Sequence, residues 1–347
     1  MDESIEYSKR AKTEEIYSVG YCKETGMAIA GGGDDAITLY KFVNDHYEIS
    51  EVIEGLDDSV VFVAFLAKDL AVAVTMDGSV VYIELNLAVS KPTSELQICD
   101  LQIDVSYVHL DAAMDYLYVG TSDGLVERVP ARADPHITRD QNKVYPGHRS
   151  DILYISTEQQ TLYTGSHTQV LLYHCETAQI IARYESREQA EITVMRVVGQ
   201  GKVVALGFSN GTLLLLALSN DGSLTEIYRR EQAESQNSIE ALASTATSLL
   251  YGGFAKSLNV LDMRYKAMKE TMLSNEEYMC VVKIIPVTDF IVVVVGSTGT
   301  IYITDIREAG RIIKEVPTGQ TVFDAALHGQ YLCVATATGA EFIDLSK

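Results

Sequence analysis

The sequence predicts an all-β fold, an eight-bladed β-propeller, and three observations carry that prediction. A phrase of three short β-rich runs recurs about eight times along the 347 residues. Its spacing, about 41 to 46 residues, is the period of a four-stranded blade. The runs alternate as strands do, are rich in Val, Ile, Tyr and Thr, and are separated by Gly, Ser, Thr, Asn and Asp turns.

One domain over residues 1–347 is expected, because the repeat is unbroken and no linker interrupts it. Residues 1–15 provide the approach and, in SIEYSKR (residues 4–10), a short alternating run. Blades then begin near residues 16, 58, 104, 150, 191, 237, 279 and 321. The clearest copies are IYSVGYCKETGMAIAGGGDDAITLYKF, DSVVFVAFLAKDLAVAVTMDGSVVYIEL and DVSYVHLDAAMDYLYVGTSDGLVERVP. Second strands read LAVAVT, YLYVGT, TLYTGS, VVALGF, IVVVVG and LCVATA, followed by hairpins such as Asp77-Gly78, Asp123-Gly124 and Asn210-Gly211. Asp-Gly and Asn-Gly suit such turns because both positions tolerate positive φ. The last repeat stops at a third strand near Leu345. The run at residues 4–10 is therefore expected to pair with the last blade and close the ring, removing an exposed edge.

Composition narrows the function. Hydrophobic residues make up 47% of the chain, and no apolar stretch is long enough to span a bilayer. The first fifteen residues are too charged for a secretory signal. Five dispersed cysteines, none in a CxxC pair, read as buried reduced thiols, which implies cytoplasm and possibly also nucleus. The net charge of −21 and pI near 4.7 disfavour duplex DNA and anionic membranes, and fit a basic partner. A monomer without direct nucleic-acid or membrane binding is expected.

Enzymatic signatures are missing. The seven histidines form no HxxxH or HExxH spacing, and no Ser/His/Asp or Cys/His set can be assembled. Gly199-Gln200-Gly201-Lys202 lacks the first glycine and the Ser or Thr of a phosphate loop, so it reads as a turn. No catalytic, cofactor-binding or metal residue is therefore assigned.

Leu261-Asp262, Thr304-Asp305 and Ile343-Asp344 resemble the Trp-Asp that ends the third strand in WD repeats, and Gly147-His148 resembles their Gly-His. The chain has no tryptophan, so the Asp–His–Ser–Trp network of that class cannot be complete, and packing must rest on aliphatic residues and the 20 tyrosines. A closer resemblance lies in IYSVGY with AIAGGGDDAITLYKF, DSVVFVAF, YLYVGTSDGLVERVP, SIEALASTATSLLYGG and LNVLDMR, in that order. Together these resemble the angio-associated migratory cell protein family, whose yeast counterpart is a Sqt-type ribosome-assembly chaperone. The resemblance runs from about Ile16 to Leu345. It implies an eight-bladed propeller that captures the basic N-terminal segment of a newly made large-subunit ribosomal protein (uL-sixteen class, L-ten in yeast naming).

In WD-type blades, the loop leading into the first strand and the hairpin between the second and third strands share one face. Candidate partner-binding acids on that face are Asp34, Asp35, Asp77 and Asp123 in hairpins. Glu14, Asp57, Asp58, Asp104, Glu276 and Glu277 stand where strands begin. Such carboxylates accept charge-assisted, often bidentate hydrogen bonds from arginine. For Asp77 and Asp123 turn formation alone explains the residue equally well. Tyr17 and Phe323 read mainly as packing residues, with guanidinium stacking as the other role. The function expected is a dedicated chaperone that delivers the basic segment to the assembling large ribosomal subunit. The alternative is a structural scaffold subunit of a stable complex.

Overall fold

The computed structural model describes residues 15–44, 46–87, 93–132, 142–219, 222–231, 237–274, 278–307 and 311–346. These form eight antiparallel sheets and, among the described residues, no helix. Within each sheet the strands pair in chain order, from an inner first strand to an outer last one. The sheets fall into two compact units. Residues 1–99 with 320–347 hold the first, second and eighth sheets, and residues 100–319 hold the third to seventh. The expected closing strand, residues 4–10, lies outside the described residues. The eighth sheet has three described strands, Val322–His328, Tyr331–Thr336 and Gly339–Asp344.

Second strands lie between two neighbours and are apolar on both faces. Leu70–Thr75, Tyr116–Thr121, Thr161–Ser166, Val203–Phe208 and Ile291–Gly296 are buried along nearly their whole length. Outer strands have one solvated face and alternate instead, as Arg311–Pro317 does.

A size rule governs four of the contacts between one sheet and the next within a unit. Near the end of their second strands, the first, third, fifth and sixth sheets carry Gly31, Gly120, Gly207 and Gly252. A Cβ at Gly120 would sit 2.7 Å from the Ile152 side chain, and one at Gly207 2.7 Å from that of Ile239. The β-branched residue that opens each following sheet thus packs into a notch left by a missing side chain.

Polar side chains complete the joints. Ser18 Oγ accepts from Val63 N (3.2 Å), and Asp324 Oδ2 accepts from Val19 N (3.4 Å). The Ser106 and Thr193 hydroxyls donate to the carbonyls of Ile152 and Ile239. Inner-strand backbone groups with no neighbour of their own are satisfied this way. In the first unit, aromatic packing joins the first and eighth sheets. Tyr47 stacks on Phe342 and Tyr21 on His328, each at 3.9 Å, while Phe42 meets Tyr331 at 5.1 Å.

The Gly-His position forms part of the WD-type network. Buried His148 meets Ser166 Oγ at 3.0 Å and Thr164 Oγ1 at 2.7 Å, and Tyr173 near the end of the third strand donates to Pro146 O. Asp262 and Asp305 do something else. Arg264 and Arg307, two residues on, hold their carboxyls down at about 2, and each aspartate caps the turn after its strand.

Burial pushes His148 and His109 down to about 4. His109 Nε2 accepts from Thr157 N (3.3 Å), which fixes the neutral ring. Both groups have a lower pKa folded than unfolded, so they cost nothing at neutral pH. As pH falls below about 6.5 the unfolded state takes up these protons first, at a cost approaching roughly 3 kcal/mol per histidine near pH 4. Melting temperature is expected to fall steeply between those values. Replacing His109 with Gln should flatten the dependence; an unaltered profile in that variant would rule the mechanism out.

Candidate functional site

The hairpin ends of the sheets carry the carboxylates. In the first unit, the hairpin Gly33-Asp34-Asp35-Ala36 joins Ala28–Gly32 to Ile37–Val43. Asp35 takes φ of +53°, a left-handed conformation that Asp tolerates better than most residues. Its Oδ1 lies 3.5 Å from the hydroxyl of Ser59, in the loop leading into the second sheet. Ser59 N also donates to Asp58 Oδ1 (2.7 Å), and Ser59 O accepts from Met76 N (2.8 Å) beside Asp77. Ser59 thus draws Asp35, Asp58 and the Asp77 hairpin together. Asp57 stands exposed beside them, and one oxygen of Asp34 is enclosed by the protein.

Asp77 is both turn residue and rim residue. Its Oδ1 accepts from the Thr75 hydroxyl and, at 3.3 Å, from Ser79 N, closing the hairpin. The donors to Asp35, Asp58 and Asp77 are hydroxyls and backbone N–H groups, and among the described residues no cation pairs with these carboxylates.

In the second unit Asp123 repeats the arrangement, with the Thr121 hydroxyl on its Oδ1. Asp104 is exposed, and its carbonyl accepts from Ser122 N (3.0 Å) in that hairpin. Glu14, Glu276 and Glu277 lie outside the described residues.

Sequence reasoning missed several groups. Glu15 stands at the first hairpin, where Gly33 N donates to its carbonyl and the Tyr17 hydroxyl lies 3.4 Å from its carboxylate. Tyr17 meets Phe323 edge-on at 6.2 Å, and Phe323 is 38% exposed, so these rings stand beside the carboxylates. In the second unit His167, in the SHTQ hairpin, lies between Asp151 (3.2 Å) and Glu191 (3.7 Å). The position of Asp151 and Glu191 at the start of their repeats was the available signal. Among the described residues no cluster of three His, Cys, Asp or Glu side chains is placed to hold a metal ion. Cys22, Cys175, Cys280 and Cys333 are buried free thiols, and Cys99 is half-buried.

Fold and site together define a β-propeller that presents carboxylates at the hairpin ends of its blades. The chain belongs to the WD40-like family, whose domain model matches residues 14–343. No curated protein matches the chain in sequence. Solved structures match it in fold. Sqt1 of Chaetomium thermophilum superposes with a TM-score of 0.83 at 17% identity, covering 96% of each chain. The same protein bound to the N-terminus of ribosomal protein L10 gives 0.79 at 16% identity, covering 96% of this chain and 97% of that one. Sqt1 of Saccharomyces cerevisiae gives 0.79 at 16% identity, covering 95% of each. At such identities the likeness is one of fold.

Proposed function

We propose that the chain is a chaperone for a basic segment of a newly made large-subunit ribosomal protein, acting in the cytoplasm or nucleus. The observation that carries this reading is the set Asp35, Asp58 and Asp77, held by neutral donors and paired with no cation among the described residues. Arginines of an extended segment would supply the missing cations, with Tyr17 and Phe323 available for guanidinium stacking. The L10 segment seated on Sqt1 makes the N-terminus of such a ribosomal protein the first client to test.

Release follows from competition. Carboxylates and rRNA phosphates cannot hold the same guanidinium groups at once, so RNA displaces the propeller from its client. A one-to-one complex with the L10 N-terminal peptide is expected at low salt, weakening steeply as ionic strength rises and dissociating on addition of RNA. Calorimetric titration with and without RNA checks this. No binding at low salt would refute the reading.

One observation favours the scaffold alternative. Outer strands His46–Ile53 and Thr93–Asp100 expose Ile49 (56%), Val52, Leu96 and Ile98 (61%), and Ser94 Oγ donates to Glu51 across them at 2.9 Å. Ternary complexes that persist with RNA would support that role.

A further inference from the structure

The far ends of three inner strands in the second unit, opposite the hairpins, enclose a cleft of about 300 Å³. Tyr107 and His109 line it from Val105–Leu110, Tyr154, Thr157 and Glu158 from Ile152–Glu158, and Arg196 from Ile192–Val198. Its charges are unusual for so acidic a chain. Arg196 is exposed, and among the described residues neither its side chain nor that of Glu158 makes a hydrogen bond or ion pair. A guanidinium and a carboxylate thus share one cleft without meeting. Two other arginines of this unit do meet acids: Arg128 takes Glu176 at 2.7 Å and Arg229 takes Glu231 at 3.0 Å.

The other lining groups narrow what fits. His109 is neutral, because its Nε2 accepts from the Thr157 backbone N–H, so Arg196 is the sole cation among the residues named. A dianion such as phosphate would meet the Glu158 charge with only one cation to offset it. The Tyr107 and Tyr154 rings, centroids 5.8 Å apart, add an aromatic wall. We propose that this cleft binds a carboxylate with an adjacent N–H donor, with Arg196 receiving the carboxylate and Glu158 accepting from the N–H. A free α-amino acid and the C-terminal residue of a peptide share that chemistry. The site is independent of the carboxylate rim and of its client.

Four probes test the proposal on the full chain by calorimetry or ligand-observed NMR: phenylalanine, N-acetylphenylalanine, N-acetylphenylalanine amide and inorganic phosphate. One or both carboxylate probes are expected to bind at least about tenfold more tightly than the amide and phosphate, the equivalent of one charge-assisted contact. Preference for the free amino acid assigns the site to a metabolite, and retention with the acetylated one assigns it to a peptide C-terminus. Arg196→Gln, at an exposed position with melting temperature as the folding control, should weaken the carboxylate probes at least about tenfold. Glu158→Gln should let phosphate gain affinity. The assignment falls if neither carboxylate probe binds at millimolar concentration, if the amide or phosphate binds as well, or if Arg196→Gln changes nothing. Unchanged phosphate affinity in Glu158→Gln would remove that residue's role.

Discussion

Neutralising Asp35, Asp58 and Asp77 together as asparagines is expected to weaken binding of an arginine-rich peptide by about 30-fold or more, roughly 2 kcal/mol. Asparagine is the informative replacement at each position. It tolerates the left-handed conformation of residue 35 and can still accept from Ser59 and Ser79 N–H. Lysine at residue 35 would add backbone strain to the change in charge. The triple variant should therefore melt near the wild-type temperature, and its affinity should depend less on salt. A parallel variant, Asp123→Asn, is expected to lose less affinity, because it removes one carboxylate instead of three. Wild-type affinity in the triple variant, with the fold intact, would move the site off the first unit.

The fold was legible because each blade repeats the same local demands. Central strands such as Leu70–Thr75 and Ile291–Gly296 must be apolar on both faces, and the Asp-Gly and Asn-Gly hairpins must reach positive φ, so composition and turn chemistry agree. Outer strands show weaker signals, since Ile180–Glu185 is mostly solvated and needs only one buried residue, Ala182. The rim was legible in part. Asp35 and Asp77 were identified from their hairpins, but Ser59, which brings them together, is an ordinary serine whose partners lie far away in sequence. His167 between Asp151 and Glu191 was hidden for the same reason. Arg196 and Glu158 were beyond reach as well: their cleft exists only where three strands, each from a different repeat, come side by side. Periodicity reports what recurs, and these contacts occur once.

The glycine notch should produce a large effect on stability at neutral pH, where the buried histidines cost nothing. Gly207→Ala would place a Cβ 2.7 Å from Cγ2 of Ile239 and 2.8 Å from Cγ1 of Val194. Ile239 is 3% exposed and opens the sixth sheet, so the atoms in the way are the end of a short, stiff side chain in a filled core, not the tip of a flexible one. Relief requires the sixth sheet to shift away from the fifth, which loosens the cluster in which Ile239 packs with Leu249 and Tyr251. Overpacking of this kind costs about 1–3 kcal/mol, and valine at residue 207 should cost more than alanine. Gly120→Ala should behave alike, meeting Ile152 Cβ at 2.7 Å and Cγ2 at 2.8 Å. Denaturant midpoints of the two variants, with unchanged slopes, would measure the effect. Wild-type midpoints in both would mean that neighbouring sheets slide freely past this contact and that the notch does not set their spacing. If the cost is instead found in both, the small residue before the second hairpin is explained by the sheet that follows it, and the repeat carries its packing instructions from one blade to the next.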